Sequence, residues 1–371
     1  MNKIPVAALK CENYDEKTLD HVVSHALELI GGIDDIIKPG SKVLLKVNLL
    51  MAITPEQGST THPAMVRTVA KYLQQKGCEV WVGDSSSWNT GKALKVSGIQ
   101  EMAESLGVKV LNFNDHTPVK VSLPPGSALK ETYLAQPLFD ADIIISLPKL
   151  KSHELTGFSG CIKNSFGMVV GNRKGEVHRL FPKIPDFAKA VIDIFMLKPP
   201  SLFIMDGIIC VEGTAAKGTP KKIGVVLASK NGFALDTVAE KIIRFKPEDL
   251  PIPREAKRRG ILGNSMEEIQ LLGDPISQLI VRYKKPGTIS SGVMKRFHGW
   301  FMRQTKQKLN PDLCIKCGVC AKCCPVEAIT LNPYPDFDFD KCIHCWCCAE
   351  VCNQGAIKVK VPSATKMVGF N

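Results

Sequence analysis

Eight of the ten cysteines in the last sixty residues constrain this chain more than any other feature. Cys314, Cys317, Cys320 and Cys324 are followed by Cys342, Cys345, Cys348 and Cys352, so C-x2-C-x2-C-x3-C occurs twice, with every matched position displaced by 28 residues. The repeat runs on past the thiols, since Ala328-Ile329 aligns with Ala356-Ile357. Three thiols at this spacing can wrap one face of a cube-shaped iron–sulfur cluster, while the longer last step turns the fourth elsewhere. A zinc ribbon, which pairs two CxxC halves, gives no role to the third thiol or the x3 step. Two further thiols, Cys323 and Cys347, are not used by the pattern.

The stretch resembles the bacterial two-cluster ferredoxin module, including Pro325 after the fourth cysteine. In that module the fourth cysteine of each run ligates the other cluster. The resemblance therefore implies two [4Fe-4S] clusters, one held by Cys314, Cys317, Cys320 and Cys352, the other by Cys342, Cys345, Cys348 and Cys324. Asn353 departs from the proline of the first half and alters a turn, not a ligand.

At 371 residues the chain is too long for this module alone and suggests two or three units. Hydrophobic residues at 44% and charged residues at 23% are those of a globular protein with a real core. No apolar run is long enough for a membrane span, and the N-terminus carries no secretory signal. With most of its 14 cysteines assigned to clusters, the chain is expected in a reducing cytoplasm. Cys11, Cys78, Cys161 and Cys210 read as buried small hydrophobes. The net charge of +12 is localised: residues 254–308 hold twelve Lys/Arg against four Asp/Glu. No nucleic-acid motif is present, and 6% aromatics do not suggest base stacking.

Apolar strands are predicted at 4–9, 43–50, 79–84, 108–113, 142–147, 201–206 and 223–228. Helical periodicity appears near 16–30, 63–77, 92–106, 185–197 and 233–245. Alternation of continuous apolar strands with helices predicts an α/β domain, a parallel sheet covered by helices on both faces, over residues 1–250. Residues 251–310 read as a basic, proline-interrupted connector, and 311–362 as the small ferredoxin-like domain. Within the connector, Val293, Met294, Phe297, Trp300 and Phe301 share one side of a basic amphipathic helix, expected to pack between the domains, with a membrane surface as the alternative.

Ligands of open α/β sheets bind beyond the carboxyl ends of the strands. Those ends carry Lys46 and Asn48, Asp84 and Ser85, and Asp206; the 142–147 strand runs into Lys149, Lys151 and His153. Lys163 and Asn164 follow, then Gly171-Asn172-Arg173-Lys174-Gly175 and His178. The same residues, in KVNLL, THP (61–63), GDS (83–85), LPKLKSH, IKNSFG, DG (206–207) and EG (212–213), resemble the family called domain of unknown function 362 over about residues 1–245. That resemblance implies a shared fold and site, and a family common in anaerobes and often fused to a ferredoxin, but no reaction.

The expectation is one pocket in which Lys149, Lys151, His153, Lys163 and His178 act on a ligand, with Lys46, Asn48, Asp84, Asn164 and Asp206 binding it. The lysine surplus favours an anion: phosphate, carboxylate or a thioester-linked nucleotide. Neither a Walker A loop (Thr219 stands where its lysine belongs) nor a G-x-G-x-x-G fingerprint is present. His62, His153 and His178 with Asp84 or Asp206 form a second, metal-binding option. Two function classes stay open: an iron–sulfur oxidoreductase relaying single electrons to the pocket, and an electron-transfer or assembly protein recognising a partner. A redox partner protein is expected in either case.

Overall fold

The computed structural model describes residues 3–86, 89–171, 173–215, 218–286, 306–352 and 354–360. The expected amphipathic helix at 293–301 lies outside the described residues.

The larger domain opens with β1 (Ile4–Lys10), α1 (Glu16–Leu29), β2 (Lys42–Val47), α2 (Pro63–Gln75) and β3 (Glu79–Asp84). Helices α3 (Thr90–Val96) and α4 (Ile99–Ser105) precede β4 (Lys109–Asn112), and the hairpin β5 (Val119–Ser122) and β6 (Glu131–Leu134) leads to α5 (Pro137–Asp140). Then come β7 (Ile143–Leu147), β8 (Lys149–His153), β9 (Gly157–Ser159), α6 (Cys161–Asn164), α7 (Arg173–Leu180) and α8 (Ile184–Leu197). The long strands β10 (Leu202–Glu212) and β11 (Thr219–Ser229) are followed by α9 (Gly232–Ile242), α10 (Pro251–Arg258) and β12 (Ile269–Gly273).

The central sheet has the order β12-β1-β11-β10-β7-β2-β3-β4, with β8 and β9 attached off that path. Pairing is parallel except where β11 joins β1 and β10, and β9 joins β8. Both faces are buried, as period-two alternation shows. Val43, Leu45, Val80, Val82, Ile143 and Ile145 pack beneath α1 and α2, while Leu44, Trp81, Ile144, Phe203 and Met205 join the core formed with α8 and α9. This is the α/β architecture read from the continuous apolar strands. Asp15 starts α1 by accepting from Thr18 N at 3.0 Å, and His62 Nδ1 with Pro63 at the first turn starts α2. Cys11, Cys78, Cys161 and Cys210 are all buried.

Two expectations are corrected here. Residues from 251 onward do not begin a connector: α10 packs on α8, β12 pairs in parallel with β1, and Tyr283 is core. Pro251 and Pro253 sit in the first turn of a helix, where no amide bond is lost, and so are compatible with regular structure. The run at 92–106 is two helices, because Gly98 at φ 72° separates them.

The C-terminal module contains β13 (Lys306–Leu309) paired antiparallel with β16 (Ile357–Lys360), the hairpin β14 (Ile329–Leu331) and β15 (Pro335–Phe337), and two one-turn helices, Val319–Lys322 and Cys347–Glu350. The backbone repeats with the sequence. Left-handed residues Lys316, Gly318 and Glu327 recur 28 positions on as His344, Trp346 and Gly355. Trp346 alone of these is wholly buried and shares the core of the larger domain, where its mate Gly318 has no side chain to insert. We predict that Trp346→Ala destabilises the protein by about 3–5 kcal/mol and exposes the module to limited proteolysis. Trp346→Phe costs less, since the indole N–H has no hydrogen-bond acceptor among the described residues. Equal urea midpoints for wild type and Trp346→Ala would refute the anchoring role.

Candidate functional site

Charge is buried first beneath the ends of β2 and β3. Lys46 Nζ lies 2.7 Å from Asp84 Oδ1, and both side chains are essentially inaccessible. Asp84 also accepts from Leu49 N at 2.8 Å and Ser85 N at 2.7 Å. Burial pushes the Asp84 carboxyl up, and Lys46 and Lys174 pull it back; burial likewise lowers the Lys46 ammonium, and Asp84 opposes it. A side chain at Gly167 would sit 2.4 Å from Asp84 Oδ1 and 2.7 Å from Lys46 Nζ, so glycine there lets the backbone close over the pair.

A polar chain runs outward from this pair. Asn164 Oδ1 receives Lys46 Nζ at 3.4 Å and Asn48 Nδ2 at 2.9 Å, and Asn164 Nδ2 donates to Ser146 Oγ at 3.0 Å. Asn48 Oδ1 accepts from Lys151 Nζ at 2.7 Å, and Lys151 donates again to Ser59 O at 2.7 Å. Above it opens a cleft of about 720 Å³. Asn48, Asp84, Lys151, His153, Lys163, Asn164 and His178 line it from the larger domain; Lys322, Cys323, Cys324, Cys347 and Glu350 close it from the module. The module therefore sits against the strand-end edge.

Within the cleft, His153 Nδ1 accepts from Leu155 N at 3.1 Å and Thr156 N at 3.3 Å, which places the ring proton on Nε2. Nε2 faces Glu350 Oε1 at 3.3 Å. Burial, then the positive charges of Lys163 and Lys151, hold the His153 pKa well below its usual value, so the ring is neutral. His153, Glu154 and Glu350 have the spacing to surround an ion. Capture at Nε2 would displace the very proton that the two amides fix there, so the tautomer disfavours metal binding at that nitrogen. Lys163 is half-buried, with its ammonium 4.5 Å from the Phe166 ring centroid and no carboxylate bound to it among the described residues. Lys174 Nζ donates to Ser85 Oγ at 2.7 Å. Burial depresses both Lys151 and Lys174 to about 7. His178 stacks on Phe187 with ring centroids 4.4 Å apart, and burial, then Lys163, lowers its pKa to about 3.

The single pocket expected from the strand ends is corrected in part. Lys149 and Asp206 form their own buried knot, 2.7 Å apart, sealed by Tyr14 OH, which donates to Asp206 Oδ1 at 2.8 Å and accepts from Lys149 Nζ at 2.9 Å. Burial opposes ionisation of Asp206, but Lys149 and the His62 amide overcome it and hold the pKa below the usual carboxylate value. Both residues are absent from the cleft wall: Lys149 and Lys151 share one face of β8, but Lys149 pairs opposite Asp206 and Lys151 opposite Val211 across an irregularity of β10, so the two lysines reach different partners. Lys46 lies under the cleft floor, not in its wall. The three histidines do not converge: His62 stacks on Tyr14 at 3.6 Å, His178 on Phe187, and His153 meets Glu350. Glu350 was missed, although the repeat offered a signal: it occupies the place of Lys322, a reversal of sign next to the matched Cys-Ala pair.

In the module the thiols gather across the repeat. Cys320 has Cys317 and Cys352 as near neighbours, and an enclosed cavity is lined by Cys324, Cys342, Cys345, Cys347 and Cys348. Ala328 N donates to Cys324 Sγ at 3.2 Å and Ala356 N to Cys352 Sγ at 3.3 Å, repeat-related bonds of the sort that tune sulfur ligands. These donors suit an iron–sulfur cluster.

Fold and thiols together define an α/β protein carrying an iron–sulfur electron-transfer module. The chain belongs to the Domain of unknown function (DUF362) family, whose description matches residues 43–241, and a 4Fe-4S binding domain matches residues 308–330, implying at least one cluster. A "thylakoid-associated protein" of Synechocystis sp. is 29% identical over 284 residues, covering 76% of this chain and 87% of that one. Among solved structures, the lactate racemase apoprotein from Thermoanaerobacterium thermosaccharolyticum is similar at a TM-score of 0.40 and 12% identity, over 66% of this chain and 58% of that one. A protein from Thermotoga maritima gives a TM-score of 0.40 and 17% identity over 64% and 61% of the two chains. Among the described residues no helix is long and apolar enough to cross a membrane.

Two outcomes test the site. Lys46→Met strands a buried carboxylate and is expected to cost about 3–5 kcal/mol, whereas Lys46→Met with Asp84→Asn recovers most of that loss in urea unfolding. For Lys151 and Lys174 the unfolded chain binds more protons above their depressed pKa of about 7, so stability rises with pH from there to the ordinary lysine range. Anion binding has the opposite sign. The thermal stabilisation conferred by pyrophosphate is expected to be larger at about pH 6 than at about pH 8.5; a pH-independent gain would count against cleft lysines as the binding groups.

Proposed function

We propose that the protein is an iron–sulfur oxidoreductase that relays single electrons to an anionic substrate or cofactor held in the cleft. The observation that carries this reading is that one cleft is walled on one side by Lys151, Lys163 and Lys174 and on the other by Cys323, Cys324 and Cys347. In this reading two [4Fe-4S] clusters are held, by Cys314, Cys317, Cys320 and Cys352 and by Cys342, Cys345, Cys348 and Cys324. When bound, the clusters supply one-electron transfer.

The chain's own residues supply the rest. Lys163 and Lys174 bind the anion, since neither has a carboxylate hydrogen-bonded to it among the described residues. Lys151, fixed by Asn48 and Ser59, orients it from the floor. The His153 Nε2–H and Glu350 face each other in the cleft, and Glu350, whose carboxyl pKa burial raises, is the group able to hand a proton to a reduced substrate. A larger concavity of about 1420 Å³, between α8 and α10, is lined by four acidic and four basic side chains, several already paired with one another. It contains no thiol and offers no comparable charge surplus, so size does not make it the better candidate.

The test is anaerobic reconstitution of wild type, Lys163→Ala, Cys323→Ser and Cys324→Ser, with iron, sulfide and small-molecule analysis. Lys163→Ala is expected to keep full cluster content and lose retention of the anionic ligand by about tenfold or more. Cys323→Ser keeps both clusters, whereas Cys324→Ser loses or converts one. If Lys163→Ala instead abolishes only binding to another protein, the larger domain is a partner-recognition module and not a catalytic one.

A further inference from the structure

The module's two halves are related by sequence and backbone but differ in what covers them. In the second half Trp346 is buried in the larger domain's core, Val359 packs against that core, and Ile343 lines the cavity of the second thiol set. Their mates 28 residues earlier are Gly318, Leu331 and Ile315. Leu331 is 44% exposed and Ile315 64%, and Leu313 beside them is 43% exposed. These three are the exposed large hydrophobic residues of the module among those described, and they surround one place. Leu313 precedes Cys314, Ile315 lies between Cys314 and Cys317, and Leu331 Cδ1 lies 3.1 Å from where a side chain at Gly318 would begin. Cys317, in their midst, is the one exposed thiol among the fourteen cysteines.

We propose that Leu313, Ile315 and Leu331, around Cys317, form the docking surface for a small one-electron carrier protein of the flavodoxin or ferredoxin type. The inference rests on the cluster assignment above and deepens it by giving the relay a direction. Entry is at the solvent-facing thiol set and exit at the set whose Cys324 lines the cleft. In the step, one electron leaves the carrier's reduced cofactor and takes the first cluster from [4Fe-4S]2+ to [4Fe-4S]+; no bond forms or breaks and no proton moves.

The occupant follows from three observations. Leu331 is the repeat counterpart of Val359, and Gly318 beside it that of Trp346, the residues by which the second half packs on the larger domain, so this part of the surface has the shape and apolarity of a protein contact. Its rim is mixed in charge, with Asp312 and Asp336 against Lys316, and all three are exposed. Recognition is therefore short-ranged and apolar, as in small transient redox interfaces, rather than steered by one sign of charge. Apolar side chains next to an exposed ligand thiol form a patch that a protein partner can cover. A carrier must bring its cofactor close to a cluster, and this is the face where a ligand thiol is reachable.

The experiment uses the full-length, iron-loaded protein under anaerobic conditions. Bleaching of the cluster absorption is followed by stopped flow after mixing with flavodoxin hydroquinone, and separately with dithionite. Ile315→Lys combined with Leu331→Lys is expected to lower the second-order rate with flavodoxin by about tenfold or more and leave the dithionite rate within about twofold. Leu262→Lys, at an equally open leucine (56% exposed) in the larger domain, is expected to change neither rate. Should the double lysine variant lose iron, Ile315→Ser with Leu331→Asn replaces it, with the same expected loss against flavodoxin. Unchanged flavodoxin kinetics in a fully loaded variant overturns the docking surface and leaves the cluster reading intact. A wild-type dimer that the variant dissociates makes the patch a self-contact, which also overturns it. Failure of dithionite to reduce fully loaded protein overturns both readings together.

Discussion

The Lys46–Asp84 pair is the constraint on which the site depends. A charge under the end of a parallel sheet is costly to bury, and a partner at 2.7 Å with two backbone donors is what makes it tolerable. That requirement propagates. Gly167 must be glycine for the loop to close over the pair, Asn164 must turn its amide oxygen inward, and Asn48 is then positioned to hold Lys151. The cationic wall of the cleft is thus assembled from its floor upward, by hydrogen bonds whose geometry leaves little freedom.

A second buried pair, Lys149–Asp206, obeys the same physics with a different outcome. Tyr14 and the backbone of His62 and Ile208 satisfy the carboxylate from the remaining directions. It ties β8 to β10 and to the residues after β1, which holds the strand carrying Lys151 and His153 in place. Two sets of similar residue types thus divide the labour, one forming a site and one supporting the strand that presents it.

The docking of the module follows from asymmetry within a repeat. Duplicated halves would by themselves present equivalent surfaces. Trp346 in place of Gly318, and Glu350 in place of Lys322, give the second half an apolar anchor and a negative charge facing a cationic cleft. The anchor accounts for affinity through burial of a large aromatic surface. The carboxylate meets His153, and its own pKa is raised by burial, with Lys163 and Lys151 acting against that rise. Placement of Cys324 at the cleft and of Cys317 toward solvent is then a geometric consequence.

By itself the sequence determined the period of the strands, their burial on both faces, the paired thiol runs and the cluster of lysines and amides at the strand ends. Each is a local pattern: apolar continuity, fixed spacing, or a residue type next to a chain reversal. What it could not separate was Lys149 from Lys151, two residues apart in a strand that looked like a loop. Their division depends on the β10 bulge and on Tyr14, more than a hundred residues distant in sequence. The same holds for residues 251–283, whose prolines read as interruptions until their first-turn position was known. The repeat marked Glu350 by its reversed sign but could not give it His153 as a neighbour, since the two come from different units of the chain. Tertiary structure decided these points because a buried charge is defined by the groups that surround it, and those groups come from segments with no pattern in common.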